Sequence, residues 1–348
     1  MFLWHHLRSE TRPILIYGMG NGAQKLMELC EAYEIPISAL FVSDSHAREG
    51  RFQGYPLLSR THAAETYPEA VVLLAFGTDR PEEIREILAM PEDWTLRIPD
   101  IPLMGGTILT EHTIAERQQE LETARDLLCD EHSKALFDSL LAYKLSGDPT
   151  QLMANTTPRS SLLSMLQLGP EENYLDLGAY RGDTIEEFLT LTNGVYRSIT
   201  ALEPDAHNFK KLQEAYPNLP NLLCLPYAAW NQEAQLKFTG KGGRNCCVLP
   251  EISGQYRHIR QVGAIALDSL GRDFSYIKMD VEGAEAQALS GLAKTIARCR
   301  PKMLVSAYHR PDDFWTLLLL IHRLNPAYCL YLRREPCLPA WEIQIAAL

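Results

Sequence analysis

Three short stretches of the chain combine residue types that do chemistry. The first, DLGAYRGDT over 176–184, follows an apolar run and opens a helical pattern. Gly178 and Gly182 permit a tight turn and a close backbone approach to a ligand. Asp176 at the strand tip suits a hydroxyl or a cation more than a phosphate, and no Gly-Lys-Ser/Thr phosphate loop follows. The second, ALEP at 201–204, ends the next strand in Glu203. An acid about 20–25 positions after a glycine turn can accept hydrogen bonds from both hydroxyls of a ribose. Pro204 then closes the strand, having no N–H for the ladder. The third, YIKMDVEGAE over 276–285, delivers Asp280 and Glu282 to a strand end beside Gly283, with Glu285 in the first turn of a helix. A fourth strand end carries His309, a general-base candidate because histidine titrates near neutral pH. Asp312 and Asp313 follow it. Asp312 also suits an N-cap, and Asp280 with Asp312 or Asp313 offers hard oxygen ligands for a divalent cation.

Strands separated by helical patterns must position these groups. In the second half of the chain, strands are expected at 174–177, 198–202, 222–226, 276–279 and 303–307, then a helix over 313–323. Two further strands at 328–333 and 342–346 lie close enough in sequence to pair antiparallel. The first half repeats the strand-turn-helix opening: a strand at 14–17, a helix at 23–33, and strands near 37–42 and 71–76. Pro81 and two acids suit the start of the next helix. Its glycine turn, Gly18, Gly20 and Gly22 followed by Ala23, approximates a dinucleotide fingerprint, with Asp44 near the interval of a ribose-binding acid. Between the halves, residues 110–145 lack Gly and Pro and carry apolar residues at helical spacing.

The expected division is therefore an N-terminal Rossmann-like domain over 1–106, a helical connector over 107–150, and a second open-sheet α/β domain over 151–348. The 348 residues, at about 150 per domain, suit this division. Lys plus Arg number 33 against 44 acids, a net charge of −11, which disfavours nucleic acid as partner. The run 314–321 is far short of the roughly 20 apolar residues of a membrane span, and no secretory signal opens the sequence. The eight cysteines form no CxxC pair, although Cys246 and Cys247 are adjacent. They suit reduced thiols of a cytoplasmic protein rather than a disulfide framework or a zinc site.

YLDLGAYRGDT, ALEPDAHNFKKL, PYAAWN, VGAIALDSL with YIKMDVEGAEAQALSGL, and RPKMLVSAYH occur in this order over roughly 151–348. Together they resemble the FkbM family of S-adenosylmethionine-dependent methyltransferases. One departure is Tyr180, where the family usually has Asn. The resemblance implies a class I methyltransferase fold, a parallel sheet closed by an antiparallel hairpin. It implies S-adenosylmethionine as cofactor and O-methylation of a hydroxyl, with sugar and polyketide hydroxyls among family substrates. By position, Asp176, Gly178, Ala179 and Gly182, with Tyr180, Asp183 and Thr184 on the same loop, would border the methionine half. Glu203 would hold the ribose, with Pro204, Asp205 and Asn208 near the adenosine and Ala228 near the adenine.

The expected function is methylation of a sugar, glycoconjugate or related small molecule. Asp280 or His309 would take the proton and Glu282 would shape the pocket. The metal-bound version with Asp280, Asp312 and Asp313 is kept beside it. For the N-terminal domain the expectations are a nucleotide or nucleotide-sugar at Gly18, Gly20, Gly22 and Asp44, or a dimerisation or acceptor-presenting role. The rival readings are an NAD(P)-dependent oxidoreductase using that glycine turn and a non-catalytic nucleotide-binding scaffold.

Overall fold

The computed structural model describes residues 2–47, 50–103, 107–239, 247–249 and 259–348. The boundary expected at residue 106, and Cys246 of the adjacent cysteine pair, lie outside the described residues. The six cysteines whose side chains are described are free thiols.

The N-terminal sheet contains β1 (Ile14–Tyr17), β2 (Ala39–Val42), β3 (Gly50–Phe52), β4 (Tyr55–Ser59), β5 (Ala70–Leu74) and β6 (Trp94–Arg97). Their order is β3-β4-β2-β1-β5-β6, parallel except for the β3–β4 hairpin. Strands β1, β2 and β5 are buried on every residue, as a sheet covered on both faces requires. Sequence reading found β1, β2 and β5. It missed β3 and β4, which lie at the sheet edge and are only partly buried, and β6.

The C-terminal sheet is assembled from β7 (Asn173–Leu177), β8 (Ser198–Leu202), β9 (Leu222–Leu225), β14 (Tyr276–Met279), β15 (Lys302–Ser306), β16 (Leu330–Arg334) and β17 (Ile343–Ala347). Its order is β16-β17-β15-β14-β7-β8-β9. The first five strands in sequence run parallel, and β17 inserts antiparallel between β15 and β16. This is the parallel sheet with a terminal antiparallel hairpin expected above. Between β9 and β14 the chain adds a small sheet absent from the sequence reading. It consists of β10 (Ala228–Trp230), β11 (Ala234–Thr239), β12 (Cys247–Leu249) and β13 (Ile259–Ala266), in the order β10-β13-β11-β12.

The segment read as one or two connecting helices forms three: Glu111–Glu116, Gln118–Asp126 and Glu131–Ser146. The last is capped by Asp130, whose carboxylate accepts from the Ser133 N–H, and stopped by Gly147 in the left-handed region. It packs into the molecule: Phe137 meets Phe314 at 5.1 Å between ring centres, and the Arg333 guanidinium pairs with Asp130. Leu136, Phe137 and Leu140 belong to one continuous apolar core that also takes in Phe41 and Val72 of the first sheet and Met303 and Ile345 of the second. Thr78 and Leu338 exchange both backbone hydrogen bonds, at 2.8 and 2.9 Å, joining the two sheets' loops directly.

Candidate functional site

β7 and β14 are neighbours in the sheet, but chain connections leave them in opposite directions. The crevice over such a switch point is where open α/β sheets bind ligands. Gly178, just past β7, sits at φ +82°, and a Cβ there would lie 1.9 Å from the Asp280 carbonyl oxygen past β14. Only glycine lets the two strand ends approach this closely. The loop then folds back under β8, with the Gly178 and Ala179 N–H groups donating to the Leu202 carbonyl.

A cavity of about 720 Å³ opens above these strand ends. Gly178, Tyr180, Asp183, Thr184, Glu203, Pro204, Asn208, Ala228, Asp280, Glu282 and His309 all line it. Asp176, Ala179, Gly182 and Asp205 are not on its wall but support residues that are. Asp176 is fully buried and accepts from the Thr184 hydroxyl at 2.5 Å, while its other oxygen has no partner. Burial lifts its carboxyl to about 6, against the pull of Lys278 and Thr184. Asp205 caps the helix Ala206–Ala215 through the His207 and Asn208 N–H groups, both at 3.0 Å. Glu203 accepts from the Tyr180 N–H at 2.9 Å and from the Asp205 N–H at 2.8 Å, one on each oxygen. Burial pushes Glu203 up to about 7, with the two backbone donors opposing.

The acid and histidine candidates form one cluster. His309, 1% exposed, places Nε2 3.4 Å from both Asp280 and Glu282, and Nδ1 2.9 Å from Glu285. The Nδ1 contact is an ion pair without hydrogen-bond alignment. Burial opposes charge on His309, but Glu285, Asp280 and Glu282 overcome it and raise the imidazole to about 10. Burial would also raise Asp280, yet Lys278 and His309 hold it below the ordinary range. Glu282, at φ +54°, is pushed by burial up to about 8. The cluster thus sets one carboxyl held below its ordinary range beside another pushed above it.

Sequence reading missed Glu285 as a partner of His309. Its Oε1 also accepts from the Val281 and Gly283 N–H groups, so this residue, rather than Asp280 or Glu282, ties down the turn after β14. The proposed ligand set Asp280, Asp312 and Asp313 is not brought together. Among the described residues, the His/Cys/Asp/Glu group with ligand atoms within 4.8 Å of one another is Asp280, Glu285 and His309. Asp313 instead turns back to accept from the Arg310 N–H at 2.7 Å. Asp312 occupies the N-cap position without a side-chain capping bond.

In the N-terminal domain, Gly18, Gly20 and Gly22 do form the β1-to-helix turn, and a Cβ on Gly22 would lie 1.9 Å from the Ala75 carbonyl oxygen. Asp44 is committed elsewhere: it accepts from the Thr61 N–H at 3.0 Å and the Thr61 hydroxyl at 2.8 Å. The surface hollow that Asp44 lines includes no glycine of the turn. Among the described residues, no helix is long and apolar enough to cross a membrane.

The family profile for the methyltransferase FkbM domain matches residues 176–334. No curated protein gives a significant match to the chain. Among solved structures, a methyltransferase FkbM from Methylobacillus flagellatus KT aligns over 99% of this chain and 92% of its own, with a TM-score of 0.75 at 19% identity. That likeness extends the shared fold to both domains. Precorrin-6y C5,15-methyltransferase from Geobacter metallireducens GS-15 aligns over 55% of this chain and 86% of its own, at 14% identity and a TM-score of 0.36. Aeropyrum pernix fibrillarin, solved with bound S-adenosyl-L-methionine, aligns over 54% and 71%, at 13% identity and a TM-score of 0.35. The glycine turn, Glu203 and the acid–histidine cluster line one cavity, and all three fall within residues 176–334, the part of the chain that matches the methyltransferase FkbM domain.

Proposed function

We propose that the protein is an O-methyltransferase acting on a hydroxyl of a sugar, glycoconjugate or related small molecule, in the cytoplasm. The observation that carries this reading is the cavity itself, whose lining brings Glu203 and the Gly178 turn together with the Asp280–Glu282–His309 cluster. The residues fit the cofactor. Each Glu203 oxygen is fixed by one backbone N–H and keeps a lone pair for a ribose hydroxyl. Thr184, held from behind by the buried Asp176, and the Gly178 turn border the methionine half, and Asn208 and Ala228 border the adenosine.

Bound S-adenosylmethionine supplies a methyl group already made electrophilic by its sulfonium. The chain's own work is to align the acceptor oxygen with that methyl and to take the hydroxyl proton as the new C–O bond forms and the C–S bond breaks. Asp280 is the proton acceptor in this reading, being ionised at neutral pH and open to the cavity on 28% of its side chain. His309 is protonated below about pH 10 and has no lone pair free to act as the base. It holds Asp280 and Glu282 in place instead, while Glu282 donates to the acceptor's oxygen atoms.

Calorimetric titration with S-adenosylmethionine, S-adenosylhomocysteine and NAD tests the reading. Binding of the two S-adenosyl compounds without NAD is expected, and Glu203→Gln should weaken it by about tenfold, the loss of roughly one charge-assisted hydrogen bond. No S-adenosyl binding by the unaltered chain would sink the reading.

A further inference from the structure

The far wall of the cavity is not built by the methyltransferase domain alone. Asp79, Pro81 and Leu103 of the N-terminal domain face Trp341 and Glu342, which lead into β17. The two sides are pressed together: a Cβ on Gly77 would lie 2.0 Å from the Trp341 ring. Glu342 holds its backbone at φ +57°, one of three non-glycine residues lining the cavity in the left-handed region, with Tyr180 and Glu282. Such strain persists only where surrounding structure enforces it.

The charges on this wall are unevenly spent. Among the described residues, the cavity as a whole is lined by eight acidic side chains but by only Arg159, Lys278 and His309 as cationic ones. Each of the three is already engaged. Arg159 donates to both oxygens of Glu187, at 2.6 and 2.7 Å, and to Glu335 at 2.8 Å. Lys278 sits 3.7 Å from Asp280, and His309 sits 2.9 Å from Glu285. Asp79 and Glu342 make no ion pair among the described residues. An anionic acceptor such as a phosphorylated sugar would meet uncompensated like charge and, among the described residues, no free cation. A cationic acceptor would meet two free carboxylates and an indole, whose ring also attracts ammonium groups.

We propose that the acceptor is a hydroxyl-bearing amine, of the amino-sugar type, seated at the domain junction with its ammonium group between Asp79 and the Trp341–Glu342 corner. This rests on the methyltransferase reading above and narrows its substrate class; it disfavours nucleotide-sugars as acceptors. It also gives the N-terminal domain a role in acceptor selection. The test is calorimetric titration of the full chain, saturated with S-adenosylhomocysteine, with glucosamine, glucose and glucose 6-phosphate in turn. Glucosamine should bind at least about tenfold tighter than glucose, the worth of one charge-assisted contact, and glucose 6-phosphate more weakly than glucose. Glu342→Gln and Asp79→Asn should each cut the amine preference several-fold while leaving S-adenosylhomocysteine affinity unchanged. Equal binding of glucose and glucosamine, tighter binding of the phosphate, an unaltered preference in both variants, or no binding of any of the three overturns the proposal. Failure of S-adenosylhomocysteine itself to bind overturns instead the reading on which it rests.

Discussion

At the scale of single residues, the site depends on contacts with no slack. Gly178→Ala must relieve a Cβ placed 1.9 Å from a backbone carbonyl and a backbone conformation that alanine disfavours. We expect it to abolish S-adenosylhomocysteine binding in calorimetry and to lower the melting temperature, by an amount equivalent to about 2–4 kcal/mol. Glu203, lifted to about 7, links cofactor binding to pH. Ribose hydroxyls favour the ionised carboxylate, so affinity should rise as pH goes from 6 to 8, with proton release visible as a buffer-dependent binding enthalpy. His309 has the opposite sign. Its pKa is raised on folding, so its contribution to stability is complete below the unfolded value near 6.5 and is lost as pH rises through about 10. The gap in melting temperature between the protein and His309→Gln should shrink over that range; a gap that widens would refute the ion-pair cluster.

At the scale of elements, the parallel strands were legible because β7, β8, β14 and β15 are short apolar runs, the first three followed at once by Gly or an acidic residue. The site residues at their ends were legible for the same reason. Lys278 on β14 stands two positions before Asp280 at the strand's end, so that pairing could have been read from the period of two. What escaped were β3, β4 and the β10–β13 sheet, edge or half-exposed strands whose apolar signal is diluted by polar residues. Asp79, Trp341 and Glu342 also escaped, because only tertiary folding brings them to the cavity. The connector's long helix illustrates how a cap is reinforced. Burial would raise the Asp130 carboxyl, but Arg333 and the Ser133 groups hold it down at about 2. Asp130→Ala should cost about 1–2 kcal/mol in denaturant unfolding. That stabilisation is present above the unfolded value near 4 and should fade as pH drops from 4 towards 2.

At the scale of the whole molecule, the two sheets, each with its own glycine turn over a switch point, are held around one apolar core and a pair of exchanged backbone hydrogen bonds. Gly77→Ala probes that junction. Added volume against the Trp341 ring should destabilise by about 1–3 kcal/mol in thermal unfolding and leave S-adenosylhomocysteine affinity within about twofold, because Gly77 itself does not line the cavity. The shared core has a consequence for how the chain loses its structure. Two domains joined by a loose linker melt independently, whereas here the connector's Phe137 and Leu140 belong to one apolar core shared with both sheets. Heating should give one calorimetric transition with matching van't Hoff and calorimetric enthalpies. The methyltransferase half expressed without residues 1–106 should expose that apolar seam and self-associate.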